Sequence, residues 1–257
     1  MGKIVNLLTI SDGFGDSQAT PAAWYPEYHK WPEIIQLMTK GLNLCNFSRY
    51  GAGNEYITNC LRQHVSDQDV ILIQWTQTDR LDLVLAPNSP EKIFWQDKIS
   101  SDAVYSNNVV QLGNNEIWLS SASALPEVKL YHGRYISEEQ HNMRSQIFVD
   151  YAKLLLTNKT HGFMLSYFSP YLINSVTDHS DWIWHQAFQG LHEFRHHSKY
   201  ADLDLGMAQP IPLIHFEFVK LFVQPRFDLP WRSKRDVLAV ENMLYRKYKE
   251  ALENQPQ

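Results

Sequence analysis

Apolar residues follow two rhythms along this chain. Short runs at 3–10 (KIVNLLTI), 42–47, 69–75 (DVILIQW) and 162–167 (GFMLSY) are rich in β-formers and stop abruptly at polar or small residues. Each predicts a strand, and 69–75 is apolar throughout, as a strand covered on both faces must be. Between these runs the spacing turns helical. Segment 31–40 has Pro32 early, then Ile34, Ile35 and Met38 on one side, and Gly41 as a stop. Segment 54–64 sets Tyr56, Ile57, Cys60 and Leu61 on one face. Further helices are expected at 138–156, at the aromatic-rich 181–197, at 212–222 and at 233–253. The last carries Val237, Val240, Leu244, Tyr248 and Leu252 down one side.

Strand, helix, strand, helix, strand is the order of a parallel sheet with helices packed on it, so the expected class is α/β, a three-layer α/β/α sandwich. Residues at about 81–135 interrupt the alternation. They contain a hairpin pattern, VVQL-GNN-EIWLS, turning at Gly113, Asn114 and Asn115, and are read as a β-rich insertion. A length of 257 residues suits one domain of the larger kind that carries such an insertion and ends in the amphipathic helix at 233–253. Segment 17–29 reads as an ordered loop and the polar tail ENQPQ as disordered.

A net charge of −5 leaves no basic face of the kind nucleic acid requires. Aromatic residues make up 13%, with eight Trp and thirteen Tyr, a richness that suits a sugar-binding surface or a large protein interface as well as a core. The two cysteines, Cys45 and Cys60, make no disulfide framework and no C-x-x-C metal site; both are expected to be reduced and buried. No stretch approaches the ~18 apolar residues of a membrane span. The N-terminus lacks the basic start and apolar core of a secretion signal. The expected place of synthesis is a reducing cytoplasm, where the protein is kept or from which it is packaged. No cofactor is implied.

Candidate chemistry concentrates where the strands end. After the first strand, 9–19 (TISDGFGDSQA) holds Gly15-Asp16-Ser17 and, closer to the strand, Ser11-Asp12-Gly13. After the second comes Ser48-Arg49-Tyr50-Gly51-Ala52-Gly53-Asn54-Glu55, leading into a helix. There Gly51 allows close backbone approach to a ligand, and Asn54 suits a helix cap whose positive end aims the same way. After the third comes Gln74-Trp75-Thr76-Gln77-Thr78-Asp79-Arg80, and late in the chain 202–215 (DLDLGMAQPIPLIH).

These blocks, in this order, resemble the SGNH (GDSL-like) hydrolases, with a looser likeness to phage-encoded members in Trp75-Thr76…Arg80. The resemblance implies a nucleophilic Ser in a Gly-Asp-Ser turn after the first strand. It also implies oxyanion donors from that turn, from Gly51 and from a residue after the third strand, and an Asp and a His on a late loop. Two alignments of the first block stand open. Counted from the strand end, Asp12 keeps the Asp and Gly13 takes the nucleophile's place. Alternatively Ser17 is the nucleophile, four residues downstream. The third block lacks the family's Asn, leaving Thr76 or Gln77 to donate and Arg80 to bind an anion or pair with an Asp. At the late His-Pro position stand Gln209 and Pro210, with Gly206 where the Asp is expected; Gln cannot relay a proton. His215, six residues on, is the alternative base. The implied pocket would be lined by Asp12, Gly51, Trp75 and Thr76.

Three readings follow. The first is a degenerate, non-catalytic member used as a phage virion or surface glycan-recognition component, binding a glycan or acyl ester and contacting virion proteins or copies of itself. The second is an active serine ester hydrolase, of glycan O-deacetylase type, using Ser17 and His215. The third is a zinc peptidase through His192-Glu193-Phe194-Arg195-His196, an H-E-x-x-H pattern with Glu217 as a third ligand. The polar, basic surroundings of that pattern argue for a solvated helix end instead, and the expected metal content is none.

Overall fold

The computed structural model describes residues 4–12, 15, 28–49, 52–78, 137–167, 169, 180–183, 190–204 and 209–254, and the backbone of three short strands in the 79–136 segment. Ser17, Gly51 and Arg80 lie outside the described residues. So do Gly13, Gly206, the turn at 113–115, most of the 17–29 loop and the last three residues of the tail.

Four strands form one parallel sheet: β1 (Val5–Ile10), β2 (Leu42–Asn46), β3 (Val70–Trp75) and, in chain order after the insertion, β7 (Thr160–Leu165). Their spatial order is β2-β1-β3-β7, every neighbour parallel. Period-two alternation divides their side chains between two cores. Leu7, Val70, Leu72 and Met164 face one side and pack with helix α1 (Trp31–Met38), α5 (Pro212–Phe218) and α6 (Lys234–Glu253). Leu8, Ile10, Ile71, Ile73, Trp75, Phe163 and Leu165 face the other and pack with α2 (Asn54–His64) and α3 (Glu138–Leu155). The layering is therefore α/β/α, as the element order required.

Within the 79–136 segment the expected hairpin pairing is present. β5 (Val109–Leu112) and β6 (Glu116–Ser120) pair antiparallel with Leu112 opposite Glu116, and β4 (Asp82–Val84) adds to the other edge of β6.

The helix expected at 181–197 does not form at its start, where residues 181–183 are extended. Trp182 makes a parallel bridge with Phe163, with Phe163 N–H donating to Asp181 at 2.7 Å and Ile183 N–H to Phe163 at 2.6 Å, so this segment extends the sheet beyond β7. Among the described residues of the segment, helix is confined to α4 (Leu191–Phe194). Segment 212–222 is helical as expected, but after Phe218 it widens into a π-turn at Val219–Val223. Among the described residues no helix is long and apolar enough to cross a membrane.

Candidate functional site at the carboxyl edge of the sheet

The connection leaving β1 runs through α1 on one face, while that leaving β3 runs to α3 on the other. Neighbouring strands whose connections diverge in this way open a crevice at their carboxyl ends, where ligands of open α/β sheets bind. Here that crevice lies between the ends of β1 and β3, and polar side chains fill it.

Asp12 is its centre. The residue is buried, and its two carboxylate oxygens accept from different strands: Thr76 Oγ1 donates to one at 3.0 Å and Ser166 Oγ to the other at 2.8 Å. Ser11 Oγ donates to Ser48 Oγ at 2.9 Å and lies 3.0 Å from the Asp12 carbonyl. Residues from the ends of β1, β2, β3 and β7 are thus tied into one cluster. The chain then turns tightly, Gly15 N–H donating to the Asp12 carbonyl at 3.1 Å. A Cβ on Gly15 would stand 2.0 Å from Ser11 Oγ and 2.6 Å from Ser48 Oγ, so a side chain there would have to displace both hydroxyls. Asn46 braces the same turn, donating to the Gly15 carbonyl at 2.8 Å and to Glu33 at 3.2 Å. Burial raises the Glu33 pKa above the usual carboxylate range, against the pull of its hydrogen bonds and of Lys30.

Asn54 departs from its expected part. Gly53 is the N-cap of α2, with no side-chain cap, and Asn54 turns inward from the first helical position. Its Oδ1 accepts from Thr76 N–H at 3.0 Å, and its Nδ2 donates to Ser145 of α3 at 3.1 Å and more weakly to the Thr76 carbonyl at 3.4 Å. It acts as a strap that fixes the exit of β3. Asn54→Ala leaves the buried Thr76 N–H unpaired, and we expect urea denaturation to show a loss of about 2 kcal/mol.

Thr76, expected to donate to a ligand, spends its hydroxyl proton on Asp12 and its N–H on Asn54. Trp75 was expected to line the pocket; parity on β3 points it into the α2/α3 core, where it is fully buried and meets Phe163 edge-on at 5.8 Å. His215 sits on α5 with no exposed surface, and neither ring nitrogen has a hydrogen-bond partner among the described residues. Burial, reinforced by the charge of Lys30, depresses its pKa from 6.5 to about 3; the Pro210 backbone pulls weakly the other way. An imidazole so placed is a poor base and makes no hydrogen bond to the Asp12 cluster. Gln209, at the late His-Pro position, is also buried, and its neighbour Pro210 accepts from the Tyr28 hydroxyl.

Ser48, Ser145 and Ser166 were missed as site residues, and so was the part Ser11 plays. A signal for Ser11 and Ser166 was present, since β1, β3 and β7 are each followed at once by a hydroxyl residue: Ser11, Thr76 and Ser166.

The H-E-x-x-H pattern falls on α4 and the turns after it. His192 N–H donates to the Ser166 carbonyl at 2.9 Å, which brings the pattern to the end of β7. The His192 and His196 rings stand 6.0 Å apart. Burial holds the His192 pKa below its usual value, with Glu193 opposing. Glu217 is engaged elsewhere, accepting from the Ser198 hydroxyl and from Lys199 N–H at 2.9 Å. Among the described residues no group of three His, Cys, Asp or Glu is placed to hold a metal ion.

No known family model matches the chain, and no curated protein matches it in sequence. Among solved structures it is similar to a catalytic mutant of Axe2, an acetylxylan esterase from Geobacillus stearothermophilus, at 11% identity and a TM-score of 0.46. That match covers 91% of this chain and 99% of the esterase. It also overlaps a protein described as a GDSL-like lipase from Parabacteroides merdae, at 13% identity and a TM-score of 0.27, over 98% of this chain and 97% of that one. A lipase from goat rumen metagenome overlaps at 12% identity and a TM-score of 0.23, over 63% of this chain and 81% of that one. Overlaps this loose carry no weight for the site, whose chemistry has to come from its own residues.

Proposed function

We propose that this chain is a binding protein on a hydrolase-like α/β/α scaffold, without ester-cleaving activity, and that it serves in recognition of surface glycans as a component of a phage-type virion. The observation that carries the reading is the placement of Asp12. It stands two residues past the end of β1, buried, with both oxygens accepting from strand-end hydroxyls. That supports the alignment in which Asp12 is the Asp of the turn, and in that alignment the nucleophile's position belongs to Gly13.

The hydroxyls that do gather at the sheet edge are poor nucleophiles. Thr76 and Ser166 each direct their one proton to the Asp12 carboxylate, and Ser11 directs its proton to Ser48 and the Asp12 carbonyl; none of the three donates to an imidazole. Gln209 in place of the late His, and a depressed, buried His215, remove the proton relay as well. Loss of nucleophile and base together costs many powers of ten in rate, because the groups act as a unit. The abundance of Trp and Tyr supports a sugar as the ligand class, and the Trp75-Thr76…Arg80 likeness supports the phage assignment.

The test is direct. Purified protein should not be labelled by a fluorophosphonate probe, and should hydrolyse p-nitrophenyl acetate no faster than its Ser17→Ala variant. It should be retained on an array of bacterial surface polysaccharides without releasing acetate from them. Labelling that disappears in Ser17→Ala would overturn the reading and establish the ester hydrolase.

A further inference from the structure

Helix α3 has two apolar faces, and only one of them meets the core. His141, Ser145, Val149 and Ala152 are buried toward the sheet. Directly opposite, Met143, Ile147 and Leu154 are 58%, 56% and 74% exposed, with Tyr151 beside them at 40%. Isolated exposed apolar residues are ordinary; a stripe along one helix is not. Met143, Ile147, position 150 and Leu154 follow steps of four, three and four, the spacing of a seam between two helices.

We propose that this outer face of α3 is a self-association surface, on which a second copy of the chain packs its own α3 antiparallel about a two-fold axis. Charge favours that occupant and that direction. Glu138 and Glu139 are exposed in the first turn, while Lys153 lies in the last turn and Lys159 just beyond it. Lys159 donates to the Ser66 and Gln68 carbonyls, which are neutral. An antiparallel pair sets the acidic end of each helix beside the basic end of the other and opposes the helix dipoles; a parallel pair would set acidic end on acidic end. About a two-fold near Phe148, Met143 meets the partner's Leu154 and Ile147 lies beside the partner's Tyr151. Isologous pairing of this kind closes on itself and stops at a dimer.

The stripe is short. One helix face falls below the roughly 800 Å² per partner of a standard interface, so the dimer is weak and concentration-dependent. Asp150 weakens it further, since it places an exposed carboxylate, bonded to Gln146 at 2.8 Å, within the seam. This inference stands on α3 alone and is independent of what the sheet edge binds.

Sedimentation-equilibrium runs on the full chain, from micromolar to several hundred micromolar, test it. The native chain should show a monomer–dimer equilibrium. Ile147→Glu and, separately, Leu154→Glu should weaken it at least tenfold, with unchanged circular dichroism melts because both positions face solvent. Asp150→Leu should tighten it at least tenfold. A native chain that stays monomeric over the whole range overturns the proposal, and so does a dimer that all three variants leave unchanged.

Discussion

Replacing His215 with Leu should flatten the acid limb of this protein's stability curve. In the unfolded chain this imidazole takes up a proton near pH 6.5; in the folded chain it does so only near pH 3. Between those values the unfolded state binds one proton more than the native state, so native stability falls as the pH falls. The slope from one such group is about 1.4 kcal/mol per pH unit, and over the window it amounts to several kcal/mol. Above pH 6.5 both states carry a neutral ring and the slope vanishes. Lys30, fully buried at the head of α1, is the charged group that opposes protonation from the facing element. Glu33 and Glu55 have raised pKa values and work in the opposite sense, so the measurement is the difference between wild type and variant. Urea denaturation at intervals between pH 4 and 7 should show the wild type losing stability more steeply than His215→Leu by the slope of one proton. At pH 7 the variant should be as stable as the wild type or more so, because two buried, unpartnered ring nitrogens are exchanged for methyl groups of similar volume. Parallel acid limbs would show that the native state protonates this ring readily, and would return His215 to candidacy as a base.

The layered fold was legible because two cores impose two periodicities. Leu7 and Leu8 face opposite helical layers, and so do Ile71 and Leu72; only a strand buried on both faces needs that continuous run. Helices α1, α2 and α6 were legible for the complementary reason: each carries its apolar residues on one stripe. Segment 181–197 was not, since Asp181 to Ile183 owe their extended form to pairing with Phe163, a partner about twenty residues away that no local pattern announces.

The candidate site divides in the same way. Asp12 and Thr76 could be placed at the sheet edge from sequence, because strand ends are readable. Their mutual hydrogen bond could not, since it depends on β1 and β3 being neighbours while β2 lies outside. Asn54 looked like a cap because caps are what Asn most often supplies at helix starts; the unpaired backbone at the exit of β3 was the stronger claimant. Trp75 was assigned to a pocket on a likeness, although its parity with Ile71 and Ile73 already pointed it into the α2/α3 core.

Asp12→Ala should be the most damaging single substitution at the sheet edge. It removes the acceptor of two buried hydroxyls, Thr76 Oγ1 and Ser166 Oγ, and leaves both without their partner in a place closed to solvent. An abandoned buried donor costs roughly 1–3 kcal/mol, so the expected loss in urea is about 3–5 kcal/mol. Asp12→Asn should cost only about 1 kcal/mol: its carbonyl oxygen keeps one hydroxyl, and the other can rotate to accept from the new amide. Adding Thr76→Val and Ser166→Ala to Asp12→Ala should restore part of the loss, because the stranded donors are then gone, and that non-additivity is the signature of one coupled cluster. The comparison also bears on function. A cluster that needs Asp12 for stability is a plug, holding the crevice between β1 and β3 closed with groups that have no proton to spare for a substrate. If Asp12→Ala costs less than about 1 kcal/mol, water reaches those hydroxyls, the crevice is open, and the non-catalytic reading loses its support.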